Sequence, residues 1–298
     1  MTVEQRQDRV FGIVLMVPAL AIVGVSIFAP LVKSLWMSFI NYSIIRQNEA
    51  GAQQWNDLKN YAEIFASGEL VQSLGITFTF MLWTVSILLV LGLSLALLLN
   101  SMKKGERVFR TLALLPWVTP TLITALLWNW MFQANYGVIN YVAMALNIVE
   151  APIPWLTSTQ FALPAVITAA VWRELPFMFI LLLAGLQSIP REMYEAAEME
   201  GAGAFRSFRS ITLPFLRNVI RVAVLLSIIT NFKQFPLVWN MTAGGPLNAT
   251  TSLAILSYKK AFVSLDFGQG AAVAAVWLVV LVVFTGVYTL VFKNREVE

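Results

Sequence analysis

The sequence predicts an all-α, polytopic membrane protein with six transmembrane helices, and three observations carry that expectation. Of 298 residues, 58% are hydrophobic and only 12% are charged, a balance suited to lipid rather than to a soluble core. The apolar residues collect into six runs near 10–32, 74–99, 111–132, 161–187, 218–239 and 269–292, each matching the roughly 20 residues that a helix needs to cross the hydrocarbon layer. The basic residues are uneven: with the N-terminus placed inside, thirteen Lys and Arg fall on the inner side and five (Lys33, Arg46, Lys59, Lys259, Lys260) on the outer. That bias orients the chain with both termini in the cytoplasm.

Taken in order, the segment 1–9 is short and mixed in charge, and the run 10–32 carries none. The run is longer than the apolar region of a secretory signal and is followed by no clear cleavage site, so it reads as a retained span. Pro18 and Pro30 in the first span, and Pro116 and Pro120 in the third, mark kinks or boundaries. The outer segment from Asn41 to Glu69 contains Trp55, Leu58, Asn60 and Tyr61, and its aromatic residues suit the headgroup level equally well. Residues 101–110 form a short basic turn that reports topology. The segment 134–160 holds Glu150 as its only charge and Pro152, Pro154 and Trp155, a pattern for a compact connection.

The most informative stretch is the polar interruption 188–214, which reads SIPREMYEAAEMEGAGAFRSFRSITLP. Pro190 suits a first helical turn, and no residue from Arg191 to Glu200 breaks a helix before Gly201 and Gly203. A helix of about three turns ended by a glycine turn follows. Ala196, Ala197, Glu200 and Gly201 fall at three- and four-residue spacings that leave a flat, small surface beside Glu195. Such a helix is suited to a groove on another protein.

Composition also excludes chemistry. With no Cys and no His, disulfides, thiol nucleophiles, HExxH sites and His or Cys zinc sites are ruled out. No GxxxxGK[ST] loop is present, so nucleotide energy has to come from a partner. The net charge of +4 sits beside membrane spans and reports orientation, not nucleic-acid binding.

Glu195, Ala196, Ala197, Gly201, Ala202, Phe208, Ile211, Leu213 and Pro214 resemble the EAA loop of the membrane subunits of bacterial ABC importers. Leu58 with Asn60-Tyr61, Leu115-Pro116, Trp128, Asn135-Tyr136-Gly137 with Asn140, and the turn Thr242-Ala243-Gly244-Gly245-Pro246 resemble the carbohydrate branch of that family, the type of maltose and glycerol-phosphate importers. The resemblance implies the type I, MetI-like permease fold, with a cytoplasmic segment 1–9, a six-span domain 10–292 and a cytoplasmic tail 293–298. It implies a half-pore for a sugar or sugar derivative, built with a second homologous permease subunit, two copies of an ABC ATPase subunit and an extracytoplasmic solute-binding protein in the bacterial inner membrane. The 188–214 loop then couples to the ATPase. No cofactor, metal or catalytic residue is assigned to this chain; ATP and Mg belong to the ATPase. Amino-acid and phosphate importers share the loop and stay open as alternatives, and an intramembrane enzyme is a third class.

Arg173, Glu174 and Lys233 fall within predicted spans. A charge in a span faces a partner or a water-filled path. Two accounts stay open: Glu174 neutralises one of the cations and all three hold helices together, or a cation is left beside the path and favours an anionic sugar. Adjacent helical residues point about 100° apart, which argues against an ideal Arg173–Glu174 pair.

Overall fold

Long apolar runs become helices because a chain in hydrocarbon must satisfy its own backbone donors and acceptors. The computed structural model describes residues 11, 15–45, 48, 53–102 and 104–292. The expected terminal segments 1–9 and 293–298, with Arg46 and Lys103, lie outside the described residues. In chain order the helices are α1 (Leu15–Met37), α2 (Lys59–Ala66), α3 (Glu69–Ser101), α4 (Glu106–Val118), α5 (Thr121–Met131), α6 (Val138–Ala145), α7 (Ala162–Gln187), α8 (Arg191–Met199), α9 (Ala204–Phe232), α10 (Pro236–Thr242), α11 (Leu253–Tyr258) and α12 (Phe267–Val291). Helices α1, α3, α7, α9 and α12 are long and apolar enough to cross a membrane, and α4 with α5, bent by 95° at Thr119–Pro120, is long and apolar enough only as a pair.

Where the bounds differ from expectation, backbone chemistry explains the difference. The third span is broken because Thr119, the residue before Pro120, takes an extended ψ of 127°, as the proline ring demands. Span one passes Pro30 without a break. Its backbone has already widened at Gly24–Phe28, where the Ala29 N–H reaches Gly24 O, and a wide turn accommodates a ring that a regular ladder would exclude.

Span five, expected over 218–239, starts at Ala204 and ends at Phe232. Thus Phe208, Ile211, Leu213 and Pro214 are not in a loop but in the first turns of α9, because nothing between Ala204 and Pro214 stops a helix once a second wide turn, Phe208–Thr212, precedes the proline. At the other end Lys233 leaves helical geometry (φ −99°, ψ 16°) and Pro236 opens α10. Lys233 is therefore exposed at the helix end and not inside the span.

The described residues fall into two compact units, one comprising 1–70 with 256–279 and the other 71–255 with 280–298. In the second unit the core runs along α7, where Ala165, Val166, Ala169, Ala170, Phe179 and Leu182 are all buried. Lipid offers no hydrophobic drive between helices, so close approach of small residues carries the packing. Gly185 shows the limit: a Cβ there would lie 2.7 Å from Leu216 Cδ2 and 3.0 Å from Val219 Cγ2. The 134–160 connection is compact as expected, and one side chain makes it so. Buried Asn140 donates to Ala134 O (3.1 Å) and Ile153 O (2.9 Å) while its Oδ1 accepts from Trp155 Nε1 (2.8 Å) and Ile153 N (3.2 Å).

In the first unit, Asn60 ties down the chain leaving α1 by donating to Ser38 O (2.9 Å) and Ile40 O (3.0 Å), and Tyr61 shares a 2.7 Å hydrogen bond with the Ser38 hydroxyl. Trp55 stacks on Phe39 with centroids 5.1 Å apart. Lys260 pairs with Glu69 at 2.6 Å. Burial holds the neighbouring Lys259 ammonium below its ordinary pKa, with the Glu69 carboxylate pulling the other way.

Candidate functional site

Helix α8 forms where the sequence predicts it, with one shift: Pro190 is the N-cap (ψ 134°) and not the first helical residue. Glu192 in the first turn complements the helix dipole. The far end closes as a Schellman turn, in which Gly201 N donates to Glu198 O and Ala202 N to Ala197 O, both at 2.9 Å. Gly201 has φ +75°, a left-handed conformation that a Cβ disfavours. A Cβ at Gly201 would meet nothing within 4 Å, so the backbone angle rather than space inside the chain selects glycine.

The helix is open to solvent on most of its circumference. Glu195, Ala196 and Gly201 are exposed, while Ala197 and Ala202 are half-buried. Met199, one turn beyond Glu195, is 89% exposed. Of the expected flat flank beside Glu195, Ala196, Glu200 and Gly201 face outward, while Ala197 packs against the core. Phe208 is half-buried and Ile211 buried, so they anchor the start of α9, while Leu213 and Pro214 are exposed there.

A second cluster lies where α7 meets α9. Glu174 and Asn231 are 7% and 1% exposed, and Asn231 Nδ2 donates to Glu174 Oε2 at 2.8 Å and to Ser227 O at 3.0 Å. Arg173 Nη1 lies 3.9 Å from Glu174 Oε1, a loose contact between neighbours that point apart. Arg173 Nε, Glu174 Oε1 and Asn231 Oδ1 are buried without a hydrogen-bond partner among the described residues. Lys233 is not brought to the cluster by any ion pair among the described residues. Sequence reasoning missed Asn231; its only signal is an amide four residues after Ser227 on the buried face of an apolar run.

The turn after α10 bonds to itself. Thr242 and Thr250 hydroxyls meet at 2.7 Å, Thr250 Oγ1 lies 2.9 Å from Gly245 O, and Thr251 Oγ1 donates to Gly244 O at 2.8 Å. The Gly245–Pro246 bond is cis. One expectation fails here. Alanine in the Thr242-Ala243-Gly244-Gly245-Pro246 stretch suggests that position 243 needs no positive φ, yet Ala243 adopts φ 49°, ψ 29°. The Ala243 N–H to Trp239 O bond that closes α10 holds it there.

Comparison with known proteins places this geometry. Residues 88–296 match the family described as binding-protein-dependent transport system inner membrane component. The trehalose/maltose transport system permease protein MalF of Thermococcus litoralis is 37% identical over 97% of this chain and 96% of its own length. The sulfoquinovosyl glycerol transport system permease protein SmoG of Agrobacterium fabrum is 33% identical over 97% and 92%. A chain of a bacterial alginate ABC transporter, solved with its alginate pentasaccharide-bound periplasmic protein, superposes with a TM-score of 0.80 over 97% of this chain and 95% of its own, at 19% identity, and so shares the fold. With the family match spanning residues 88–296 and a 37% identical relative covering 97% of the chain, the protein belongs to the family of binding-protein-dependent transport system inner membrane components.

Proposed function

We propose that this permease subunit imports a sugar or sugar derivative and that α8 with its glycine turn, Glu195 to Ala202, is the element that couples it to a cytoplasmic ATPase. The observation that carries the coupling reading is the exposure of Glu195, Ala196 and Met199 on a helix that starts after Pro190 and is closed at its far end by the Gly201 turn. An exposed carboxylate on a flat flank is suited to a guanidinium or ammonium of a partner groove. The ATPase, in two copies, uses ATP and Mg; a second homologous permease completes the pore; and a solute-binding protein delivers the cargo. The basic bias puts α8 and both termini on the cytoplasmic side and the Thr242–Pro246 turn on the other. Because the hydroxyls and carbonyls of that turn are already used internally, it offers an outer partner shape and not free donors.

Support for a carbohydrate comes from relatives named for trehalose and maltose and for sulfoquinovosyl glycerol. The Arg173–Glu174–Asn231 cluster is the proposed polar stretch of the path: ionisable residues in spans face aqueous cavities or partners, and buried polar atoms left without partners call for an explanation. Lys233, exposed at the end of α9, lies at the mouth of that path.

The test is purification of the complex with its operon partners. Recovery of the ATPase with the unsubstituted chain, together with a parallel fall of transport and solute-stimulated ATP hydrolysis in Glu195→Ala and Gly201→Val, is expected. Normal coupling in both variants would remove α8 from the role. For the cargo, calorimetric titration of the binding protein with neutral and acidic sugars, followed by uptake in Arg173→Gln and Lys233→Gln membranes, separates the two classes.

A further inference from the structure

Of the residues in α8, Tyr194 and Ala197 are half-buried and the rest are exposed. Tyr194 and Ala197 stand three apart and so share one face. Ala197 contributes a methyl group alone, so of these two half-buried residues Tyr194 is the one with a polar tip. Its ring packs on the buried core, and its hydroxyl lies 2.9 Å from Thr212 Oγ1. Thr212 is 3% exposed and closes the wide turn Phe208–Thr212, where the Leu213 N–H reaches back to Phe208 O.

Two clefts open to solvent flank that contact. One of about 470 Å³ is lined by Glu106, Gln187, Arg191 and Tyr194. Another of about 840 Å³ is lined by Leu97, Glu198, Phe205, Phe208, Thr212 and again Tyr194. Tyr194 borders both clefts, and its ring and the Ala197 methyl are the parts of α8 that pack against the core.

We infer that Tyr194 is a positioning residue and that its hydrogen bond to Thr212 is the link through which displacement of α8 enters α9. The inference rests on the coupling role proposed for α8. A push on α8 is carried by this Tyr194 strut to the turn where the hydrogen-bond ladder of α9 is already altered. Tyr194 touches neither cargo nor nucleotide in this scheme; it fixes the angle at which Glu195 is presented.

The experiment uses the full complex with ATPase and binding protein in proteoliposomes, and reads solute imported per ATP hydrolysed. Tyr194→Phe keeps the ring and removes the hydroxyl; Thr212→Val keeps the shape and removes its partner. Each is expected to lower the ratio about fivefold, the factor that one net hydrogen bond commands, and the double variant no further, as for a coupled pair. Thr212→Ser should restore the ratio, and ATPase recovery should equal that of the unsubstituted complex. Unchanged ratios, additive losses, failure of Thr212→Ser, or loss of the ATPase from Tyr194→Phe would each overturn the strut. If Glu195→Ala uncouples while Tyr194→Phe and Thr212→Val do not, the strut alone falls. If Glu195→Ala and Gly201→Val couple normally, the role of α8 falls and takes the strut with it.

Discussion

Asn231 and Glu174, 57 residues apart in sequence, meet in a buried 2.8 Å hydrogen bond that joins α9 to α7. The amide is the better partner of the carboxylate, since the Arg173 guanidinium stands 3.9 Å away on a diverging side chain. Asn231→Leu is expected to destabilise the detergent-solubilised subunit by about 1–3 kcal/mol, the cost of leaving a buried acceptor unsatisfied. Combining it with Glu174→Gln should cost less than the two losses added. A thermal unfolding series of the three variants gives the answer, and strictly additive losses would argue against the bond.

Gly185 of α7 faces α9, where a Cβ would lie 2.7 Å from Leu216 Cδ2 and 3.0 Å from Val219 Cγ2. Gly185→Leu is expected to force the helices apart and destabilise by about 1–3 kcal/mol through overpacking. Pairing it with Leu216→Ala should recover part of the loss. Unfolding midpoints in detergent would show whether the smaller partner rescues.

Ala243 holds a left-handed backbone (φ 49°) at the end of α10. An L-residue with a Cβ is strained there by about 1–2 kcal/mol, against which the extra freedom of an unfolded glycine counts. Ala243→Gly is therefore expected to stabilise by about 0.5–1 kcal/mol and to leave transport unchanged. A lower unfolding midpoint would contradict the strain.

Asn140 satisfies backbone and indole groups on three sides of the 134–160 connection. Asn140→Ala removes both donors and the acceptor at once, and is expected to increase protease cleavage within 146–158 while the flanking spans stay protected. Limited proteolysis read by mass spectrometry checks this.

Much of the architecture was legible because lipid allows few solutions. Five of the six apolar runs become single long helices, Pro120 breaks the third into a bent pair, and the residues from Arg191 to the Gly201 turn form the helix their composition demands. The details that failed depend on distant or subtle backbone events. The start of α9 at Ala204 was hidden by its polar residues, which read as loop although none of them breaks a helix. Ala243 looked like a relaxed substitution for glycine, and only the closing bond of α10 shows otherwise. Asn231, Tyr194 and Thr212 act through partners elsewhere in the chain, and no local spacing announces a partner 57 or 18 residues away.

The wide turn Phe208–Thr212 holds one residue more than a regular helix would use. Each residue of an α-helix advances the chain by about 100° around its axis, so deleting one residue there would restore an unbroken ladder while swinging Ala204–Ser207, and the chain before it, about a quarter of a circle. The azimuth at which α8 leaves the membrane body is thus set by a count of residues. A length polymorphism of a single codon in this turn would re-aim the whole coupling helix without altering any side chain on it.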